Sequence, residues 1–228
     1  MVSFSPIISS EELERLRLDV LPAKTQAAFL RCIELPFMKD RWYLAGGTAL
    51  SLQVGHRESV DLDFFTHEKS FDERKIIEQF DDAGAWQVTS VDRGTVYGEF
   101  LGAKLSLIVY PTFTPVEPMW TVGCVSIISP PDIAAMKVVA ISQRGRKRDF
   151  FDLYWLSKNE LPLNDSIQRA KEQYSVKQNI NHILKSLVYF VDAEDDPNPE
   201  LHFQATWLNV KDFFEEEISR IAGKIIGV

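Results

Sequence analysis

The sequence predicts an α+β fold in which a mixed sheet with flanking helices is followed by a helical C-terminal part. Short apolar segments, several of them alternating with polar residues and punctuated by glycine or proline, favour strands before residue 129. Helical periodicity alone follows Pro130-Pro131. The change of pattern predicts an α/β domain over residues 1–128 and a helical domain over residues 129–228 that packs on it.

Composition limits the classes of partner. The chain has 228 residues, a formal net charge of −8 and two cysteines, Cys32 and Cys124. A protein this acidic is expected to contact RNA or DNA only through a local patch, and an anionic membrane is not an expected partner. The sequence has no apolar run of the roughly 20 residues that cross a bilayer, and its N-terminus lacks a signal-peptide pattern. Two distant cysteines are expected to be buried free thiols, and the expected location is a reducing cytoplasm.

Periodicity and turn residues predict the elements of the first part. Ser9 and Glu12 have capping-box spacing ahead of a first helix. Further helices are predicted over about 24–33, 48–54 and 72–83. Strands are predicted over 42–45, 59–65, 87–91, 96–101, 104–110 and 124–128.

The second part is predicted to be helical throughout. Asp132 is the expected N-cap of its first helix, and Gly145 is expected to separate that helix from the next. Helices are predicted over about 132–143, 148–157, 164–174, 177–191 and 206–225.

Asp61-Leu62-Asp63 is the first candidate for chemistry. Residues two apart on a strand project from the same face, and two carboxylates so placed repel one another unless a cation lies between them. Mg²⁺ (or Mn²⁺) prefers such oxygen ligands. The pair is also compatible with two solvated acids on an exposed strand face.

Gly46-Gly47-Thr48 precedes that pair and starts a predicted helix. Glycines let the backbone approach a ligand, and a helix N-terminus offers N–H donors to an anion, although a tight turn alone also explains glycine. Asp61 and Asp63 follow Gly47 by 14 and 16 residues. A phosphate-binding turn followed by paired acids would hold a nucleoside triphosphate together with its metals.

These two motifs resemble the polymerase β-like nucleotidyltransferase superfamily. The resemblance rests on the stretches Leu44–Leu50 and His56–Phe65, and it is closest to the AbiE-type toxin family of type IV toxin–antitoxin and abortive-infection systems. A helical motif of that family matches Lys137, Arg144, Arg148, Asp149, Asp152 and Leu153. The resemblance covers roughly residues 42–156.

The resemblance implies a metal-dependent transfer of a nucleotide from a nucleoside triphosphate to an acceptor. Asp61 and Asp63 would bind the metal, Lys137 would neutralise the triphosphate, and Asp152 would accept the proton of the acceptor hydroxyl. The residues expected to bind the nucleotide are Gly46, Gly47, Thr48, Arg57, Ser59 and Arg144. Ser59 is alternatively expected to orient the two carboxylates. The residues expected to contact RNA are Arg146, Lys147 and Arg148.

Several points stay open at the level of sequence. Ser106 stands where many polymerase β-like enzymes have a third acid, and Glu99 lies near it but out of register. A degenerate binding protein of the same fold and a kinase-type phosphotransferase are the alternatives to a transferase. The acceptor would be a tRNA 3′ end or a protein side chain, a cognate antitoxin is expected, and Arg146 with Lys147 is also compatible with a solvated basic loop.

Overall fold

The computed structural model describes residues 10–226, with side chains described from 11 to 223. These residues form two compact units. The first unit comprises the described residues up to Thr114 together with Pro118–Ser129, and the second comprises Pro115–Glu117 and the described residues from Pro130 onward.

A seven-stranded mixed sheet organises the first unit. Its order is β3-β4-β5-β2-β1-β7-β6, in which β2 pairs with β5 and β1 with β7 in parallel while the other pairs are antiparallel. The strands are β1 (Tyr43–Ala45), β2 (Leu62–Thr66), β3 (Trp86–Asp92), β4 (Thr95–Phe100), β5 (Ala103–Val109), β6 (Trp120–Val122) and β7 (Val125–Ile127). The predicted mixed sheet is therefore confirmed, with β6 as a strand that the sequence pattern missed.

Helices flank this sheet and follow the predicted spacing closely. They are α1 (Ser10–Glu14), α2 (Ala23–Cys32), α3 (Gly46–Val54) and α4 (Glu73–Ala83). Asp72 caps α4 by accepting a hydrogen bond from the backbone N–H of Lys75. The predicted capping residue of the first helix, Ser9, lies outside the described residues.

One face of the sheet carries the hydrophobic core of the first unit. Leu62 and Phe64 of β2 are fully buried, and Phe80 of α4 packs edge-on against Phe100 of β4 with their ring centroids 5.1 Å apart. The predicted strand over 59–65 begins later than expected, at Leu62, and Val60 before it is 48% exposed. Asp61 therefore lies at the entrance to the strand.

The second unit is built from helices, as predicted. They are α5 (Pro130–Arg144), α6 (Lys147–Asn159), α7 (Leu163–Gln173), α8 (Ile180–Ser186), α9 (Val191–Glu194) and α10 (Trp207–Ile226). The helix predicted over 177–191 is wrong in length, because α8 covers only Ile180–Ser186 and α9 begins where the predicted helix should end. The aromatic ring of Phe150 lies at the centre of the core of this unit. Its centroid is 5.4–5.6 Å from the ring centroids of Phe190, Trp207 and Phe214.

Asp132 does not cap α5 as predicted. The helix already begins at Pro130, and the buried carboxylate of Asp132 accepts hydrogen bonds from the backbone N–H groups of Val116 and Glu117 and from the amide of Gln173. The Asp132 carboxylate therefore holds the segment of Val116 and Glu117 in place within the second unit.

Two expectations from composition can be compared with the described residues. Cys32 and Cys124 are buried free thiols, as expected, and burial raises the pKa of the Cys32 thiol. Among residues 10–226, the helices are either too short or too polar for a membrane-spanning segment.

Candidate active site

The paired acids lie at one end of β2, at the centre of the sheet. Leu62 and Phe64 turn into the core, and the alternation of the strand places Asp63 on the opposite, half-buried face. Asp61 and Asp63 both line an open pocket of about 290 Å³. The predicted common orientation of the two carboxylates toward one space therefore agrees with the structure of the first unit.

Asp63 is held between two neighbouring strands. It lies opposite Ala45 on β1 and opposite Ser106 on β5. The Ser106 hydroxyl donates a hydrogen bond of 2.5 Å to Oδ1 of Asp63. The residue that replaces the expected third acid thus orients one oxygen of Asp63 and leaves the carboxylate directed into the pocket.

Gly46 brings the backbone close to the other oxygen of Asp63. Its φ of +71° lies in the left-handed region, and a Cβ atom added there would lie 3.4 Å from Oδ2 of Asp63. Helix α3 begins at this glycine, and Ala45 at its N-cap provides no side-chain cap. The N–H groups in the first turn of α3 are therefore the available donors for an anion beside the paired acids.

The hydroxyls of Thr48 and Ser59 contact each other at the entrance of β2. They lie 2.7 Å apart, and the Thr48 hydroxyl also donates to the backbone carbonyl of Asp61. Both side chains are buried. The expected phosphate contact of these two hydroxyls is therefore corrected, whereas the alternative expected for Ser59, orientation of the paired acids, stays a prediction.

Arg57 is also placed differently from the expectation. Its side chain is buried, and its Nη1 donates a hydrogen bond of 2.7 Å to the carbonyl of Glu58. It does not line the pocket of the paired acids. The predicted contact between Arg57 and a triphosphate therefore has no support in the structure of the first unit.

The donor set at the paired acids suits a hard divalent cation. Two carboxylates and a hydroxyl offer oxygen ligands of the kind that Mg²⁺ prefers. Within the described residues, no group of three or more His, Cys, Asp or Glu side chains is placed to hold a metal ion by itself. A cation at Asp61 and Asp63 would complete its coordination with water and substrate phosphate, as Mg²⁺ usually does.

A second cluster of charges lies inside the second unit. Nζ of Lys137 lies 2.7 Å from Oδ1 of Asp149 and 2.5 Å from Oδ2 of Asp152, and all three side chains are at most 5% exposed. Nε of Arg144 lies 3.0 Å from Oδ2 of Asp149. Burial by itself would raise the pKa of Asp149, but the charges of Lys137 and Arg144 outweigh burial and hold that pKa below its ordinary value.

This cluster changes the role expected for Asp152. The carboxylate is fully buried and ion-paired with Lys137. An acceptor hydroxyl must come within hydrogen-bond distance of the group that takes its proton. Asp152 as placed in the second unit does not meet that condition, so the structure does not support its predicted role as proton acceptor.

The basic segment after α5 is partly neutralised. Gly145, with a φ of +54°, ends α5 and separates it from α6, as predicted. Arg146 is half exposed and pairs with Asp196 at 3.1 Å, whereas Arg148 is exposed. The contact of these two arginines with RNA stays a prediction.

Lys147 does not belong to that exposed set. It is 6% exposed, and its Nζ donates to the backbone carbonyls of Glu194 at 3.0 Å and Asp196 at 2.6 Å. The ammonium group also lies 5.4 Å from the centre of the Trp207 ring. The predicted RNA contact of Lys147 is therefore wrong, and the residue ties two segments of the second unit together.

The remaining pocket residues were not predicted from the sequence. The sheet places them beside the paired acids through the pairing of β5 with β4 and of β4 with β3. They are Thr89, Tyr97, Gly98, Glu99, Lys104 and Leu105. The alternation of exposed residues along β4 was the available signal, but the sequence could not show which strand would lie next to β5.

A mixed sheet with flanking helices of this kind is the fold of nucleotidyltransferase-like proteins. A solved structure described as a candidate nucleotidyltransferase from H. pylori has this fold, with a TM-score of 0.51 and 18% identity over 94% of this chain and 98% of that one. MenT4, a nucleotidyltransferase toxin from Mycobacterium tuberculosis, gives a TM-score of 0.47 at 13% identity over 87% and 86% of the two chains, a likeness too slight to bear on function.

Sequence comparison is more specific. The chain matches the sequence model of the family described as "Nucleotidyl transferase AbiEii toxin, Type IV TA system" over residues 28–93 and 121–219. It is 36% identical over 204 residues to an uncharacterized protein of Aquifex aeolicus, which covers 87% of this chain and 96% of that one. The chain belongs to the AbiEii nucleotidyltransferase toxin family of type IV toxin–antitoxin systems. The predicted family and the predicted class of enzyme, a nucleotidyltransferase, are confirmed.

Proposed function

We propose that this protein is a toxin that transfers a nucleoside monophosphate from a nucleoside triphosphate to a hydroxyl group at an RNA 3′ end, with tRNA as the first candidate. The observation that carries the proposal is the arrangement of Asp61 and Asp63 along one pocket, with the backbone of Gly46 beside Asp63. This arrangement places anion donors and cation ligands side by side, as a metal-bound triphosphate requires.

Each part of the first unit has a role in this proposal. Asp61 and Asp63 hold Mg²⁺ or Mn²⁺, which when bound supplies positive charge to the α-phosphate and the leaving pyrophosphate. The N–H groups of Gly47 and Thr48 donate to the distal phosphates from the first turn of α3. Ser106 holds Asp63 in position through the hydrogen bond to Oδ1.

The choice of RNA over a protein acceptor rests on the lining of the pocket. Tyr97 presents a ring that is 43% exposed, and Lys104 is exposed beside it. Stacking of a base on an aromatic ring contributes about 1–3 kcal/mol, and a lysine neutralises a phosphate. The exposed Arg148 and the half-exposed Arg146 offer further phosphate contacts in the second unit.

The charges of the second unit are compensated within that unit. The family resemblance assigns Lys137 and Arg144 to the triphosphate, but Lys137 is buried and both cations pair with Asp149. Triphosphate binding is therefore assigned to the first unit alone. A cognate antitoxin and action in the cytoplasm, where nucleoside triphosphates and tRNA occur, complete the proposal.

Transfer of labelled nucleotide tests this function. The protein is incubated with Mg²⁺, total tRNA or a cell lysate, and each nucleoside triphosphate labelled at the α- or the γ-phosphate. We expect label from the α-phosphate on RNA, loss of transfer with EDTA, and recovery with excess Mg²⁺ or Mn²⁺.

The other outcomes identify the alternatives. Label from the α-phosphate on protein would replace the RNA acceptor by a protein side chain. Label from the γ-phosphate alone would indicate a kinase-type phosphotransferase. Triphosphate binding without any transfer would indicate a degenerate binding protein, and transfer that persists in EDTA would contradict the metal dependence.

A further inference from the structure

The pocket extends to one side of the paired acids. In the sheet, β1 and Gly46 lie on one side of β2, while β5, β4 and β3 lie on the other. The pocket residues other than the paired acids all come from β3, β4, β5 and their ends. A triphosphate held at Gly46 and an acceptor held in the pocket would therefore approach Asp61 and Asp63 from opposite sides.

The strand next to the paired acids provides no acid to take a proton from the acceptor. The residue opposite Asp63 on β5 is Ser106, which is 4% exposed and donates its hydroxyl to Asp63. Lys104, two residues earlier, is a cation. A carboxylate that serves this side of the site must come from the next strand, β4.

Glu99 on β4 has the required position. It lies opposite Lys104 on β5 and lines the same pocket as Asp61 and Asp63. Two strand spacings, about 10 Å, separate the backbones of β4 and β2, and the longer side chain of glutamate suits that span better than aspartate. An acceptor hydroxyl would bind in the pocket that Glu99 and the paired acids share.

The packing of Gly98 keeps its neighbour Glu99 on the pocket face. The ring of Trp86 and the carbonyl of Gln87 pack against Gly98 on the core side and leave no room for a Cβ atom. Because successive residues of a strand face opposite sides, Glu99 faces the pocket. Glu99 is exposed, and within residues 11–223 its side chain makes no hydrogen bond or ion pair. Its carboxylate lines the pocket, and its cross-strand neighbour there is the cation Lys104.

A bulge on the edge strand shapes the far wall of this pocket. The pairing of β3 with β4 shifts between Val88 and Ser90, so Thr89 has no partner in the ladder and lines the pocket instead. Bulges of this kind occur often beside active sites, where they redirect a side chain. The bulge is a second, independent feature that marks this side of the sheet as a binding surface.

We propose that Glu99 is a catalytic residue, the base that takes the proton of the acceptor hydroxyl. This inference rests on the proposed nucleotidyl transfer. The acceptor oxygen forms a bond to the α-phosphorus, the bond from that phosphorus to the oxygen bridging the β-phosphate breaks, and pyrophosphate leaves with that oxygen. The hydroxyl proton passes to the Glu99 carboxylate. The acid that many members of the superfamily carry on the strand beside the paired acids is thus replaced, in this chain, by one from β4.

Three variants of the full chain test the role of Glu99. Glu99→Gln keeps the shape but cannot take a proton, Glu99→Asp keeps the carboxylate but shortens the side chain, and Glu78→Gln is the matched control on the exposed face of α4. We measure kcat and KM for α-labelled triphosphate transfer to RNA, and thermal unfolding confirms that each variant is folded.

We expect Glu99→Gln to lower kcat roughly 100- to 10,000-fold, the usual contribution of a general base, with KM for the triphosphate unchanged. Glu99→Asp should retain an intermediate kcat, and Glu78→Gln should match the wild type. A kcat within threefold of wild type in Glu99→Gln would overturn the role of Glu99 while nucleotidyl transfer stands. A raised KM with unchanged kcat would also overturn it. A wild-type protein without transfer would overturn the proposed function and this inference together.

Discussion

The two units each contain a close pair of aspartates, and the surroundings of the two pairs are opposite. Asp61 and Asp63 line an open pocket in the first unit. Asp149 and Asp152 are fully buried in the second unit, where Lys137 lies within 2.7 Å of both. The ammonium group of Lys137 compensates the second pair inside the protein, whereas the first pair borders a pocket that is open to solvent.

The difference shows how the same residue type serves structure or chemistry. Removing a charge from water is costly, so a buried carboxylate is tolerated only with a cation at close range. The lowered pKa of Asp149 reflects that compensation. An acid pair beside an open pocket remains in contact with water, so its charge costs less to keep. We therefore expect substitutions in the first pair to affect activity and those in the second to affect stability first.

The largest effect should follow from Asp63→Asn. The amide preserves the shape of the side chain but removes a negative ligand for Mg²⁺ from the centre of the site. We expect nucleotidyl transfer to fall by a factor on the order of 1,000 or more, as metal-site losses in catalysis do, while the free energy of unfolding changes little. The measurement combines α-labelled transfer with urea denaturation.

Asp81→Asn is the matched control for that variant. Asp81 lies exposed on α4 and does not line the pocket. It undergoes the same chemical change without touching the site, so its activity should equal that of the wild type. Full transfer activity in Asp63→Asn would show that the pocket is not the active site.

Lys137→Met should have the next largest effect, and on stability. The substitution leaves Asp149 and Asp152 buried without Lys137, and breaking a buried pair in this way costs about 3–5 kcal/mol. Urea denaturation should show this loss, while Lys177→Met, at an exposed lysine of the same unit, should unfold like the wild type. Unchanged stability in Lys137→Met would mean that the two carboxylates find other compensation.

Much of this fold could be predicted from the sequence, because its elements are local patterns. The strand with Asp61 and Asp63, the glycine start of α3 and the break at Gly145 all depend on residues within one or two turns. Strand β6 was missed because Pro115 and Pro118, just before it, are typical of a loop. Asp132 was misassigned as an N-cap because its partners, including Val116, lie on a separate segment of the chain.

The candidate site was less predictable, because it depends on pairing between distant segments. The sequence identified the residue types. It could not show that the Thr48 hydroxyl would bond to Ser59, or that buried Lys147 would donate to backbone carbonyls. Glu99 enters the pocket only through the register of β4 against β5. The position of Ser106 opposite Asp63 and its hydrogen bond to that carboxylate likewise required the structure.

The stability of the second unit should also depend on pH through Asp149. Its pKa in the folded protein lies below the ordinary value of 3.8, so the unfolded chain takes up a proton at a higher pH than the folded one. The stabilisation is therefore fully present above about pH 4 and is lost as the pH falls through the lower, folded-state pKa. Urea denaturation of the wild type at pH values from roughly 3 to 6 should show this decline in the free energy of unfolding.

Asp149→Asn provides the comparison for that dependence on pH. The amide cannot titrate, so the variant should be less stable than the wild type at pH 6, and the difference should narrow as the pH falls. A constant difference across the whole range would contradict the assignment of this dependence to Asp149.

Thr48→Val should have the smallest effect. It distinguishes a structural role of the Thr48 hydroxyl from direct contact with a phosphate. Valine keeps the size of the side chain but removes the hydroxyl that bonds Ser59 and the carbonyl of Asp61, leaving buried polar groups without that partner. The loss should be about 1–3 kcal/mol in the free energy of unfolding. KM for the triphosphate should stay unchanged, because the proposal assigns phosphate binding to backbone N–H groups of α3.

Thr121→Val, at an exposed threonine on β6, should alter neither quantity. A higher KM for the triphosphate without loss of stability would restore the Thr48 hydroxyl as a direct phosphate ligand.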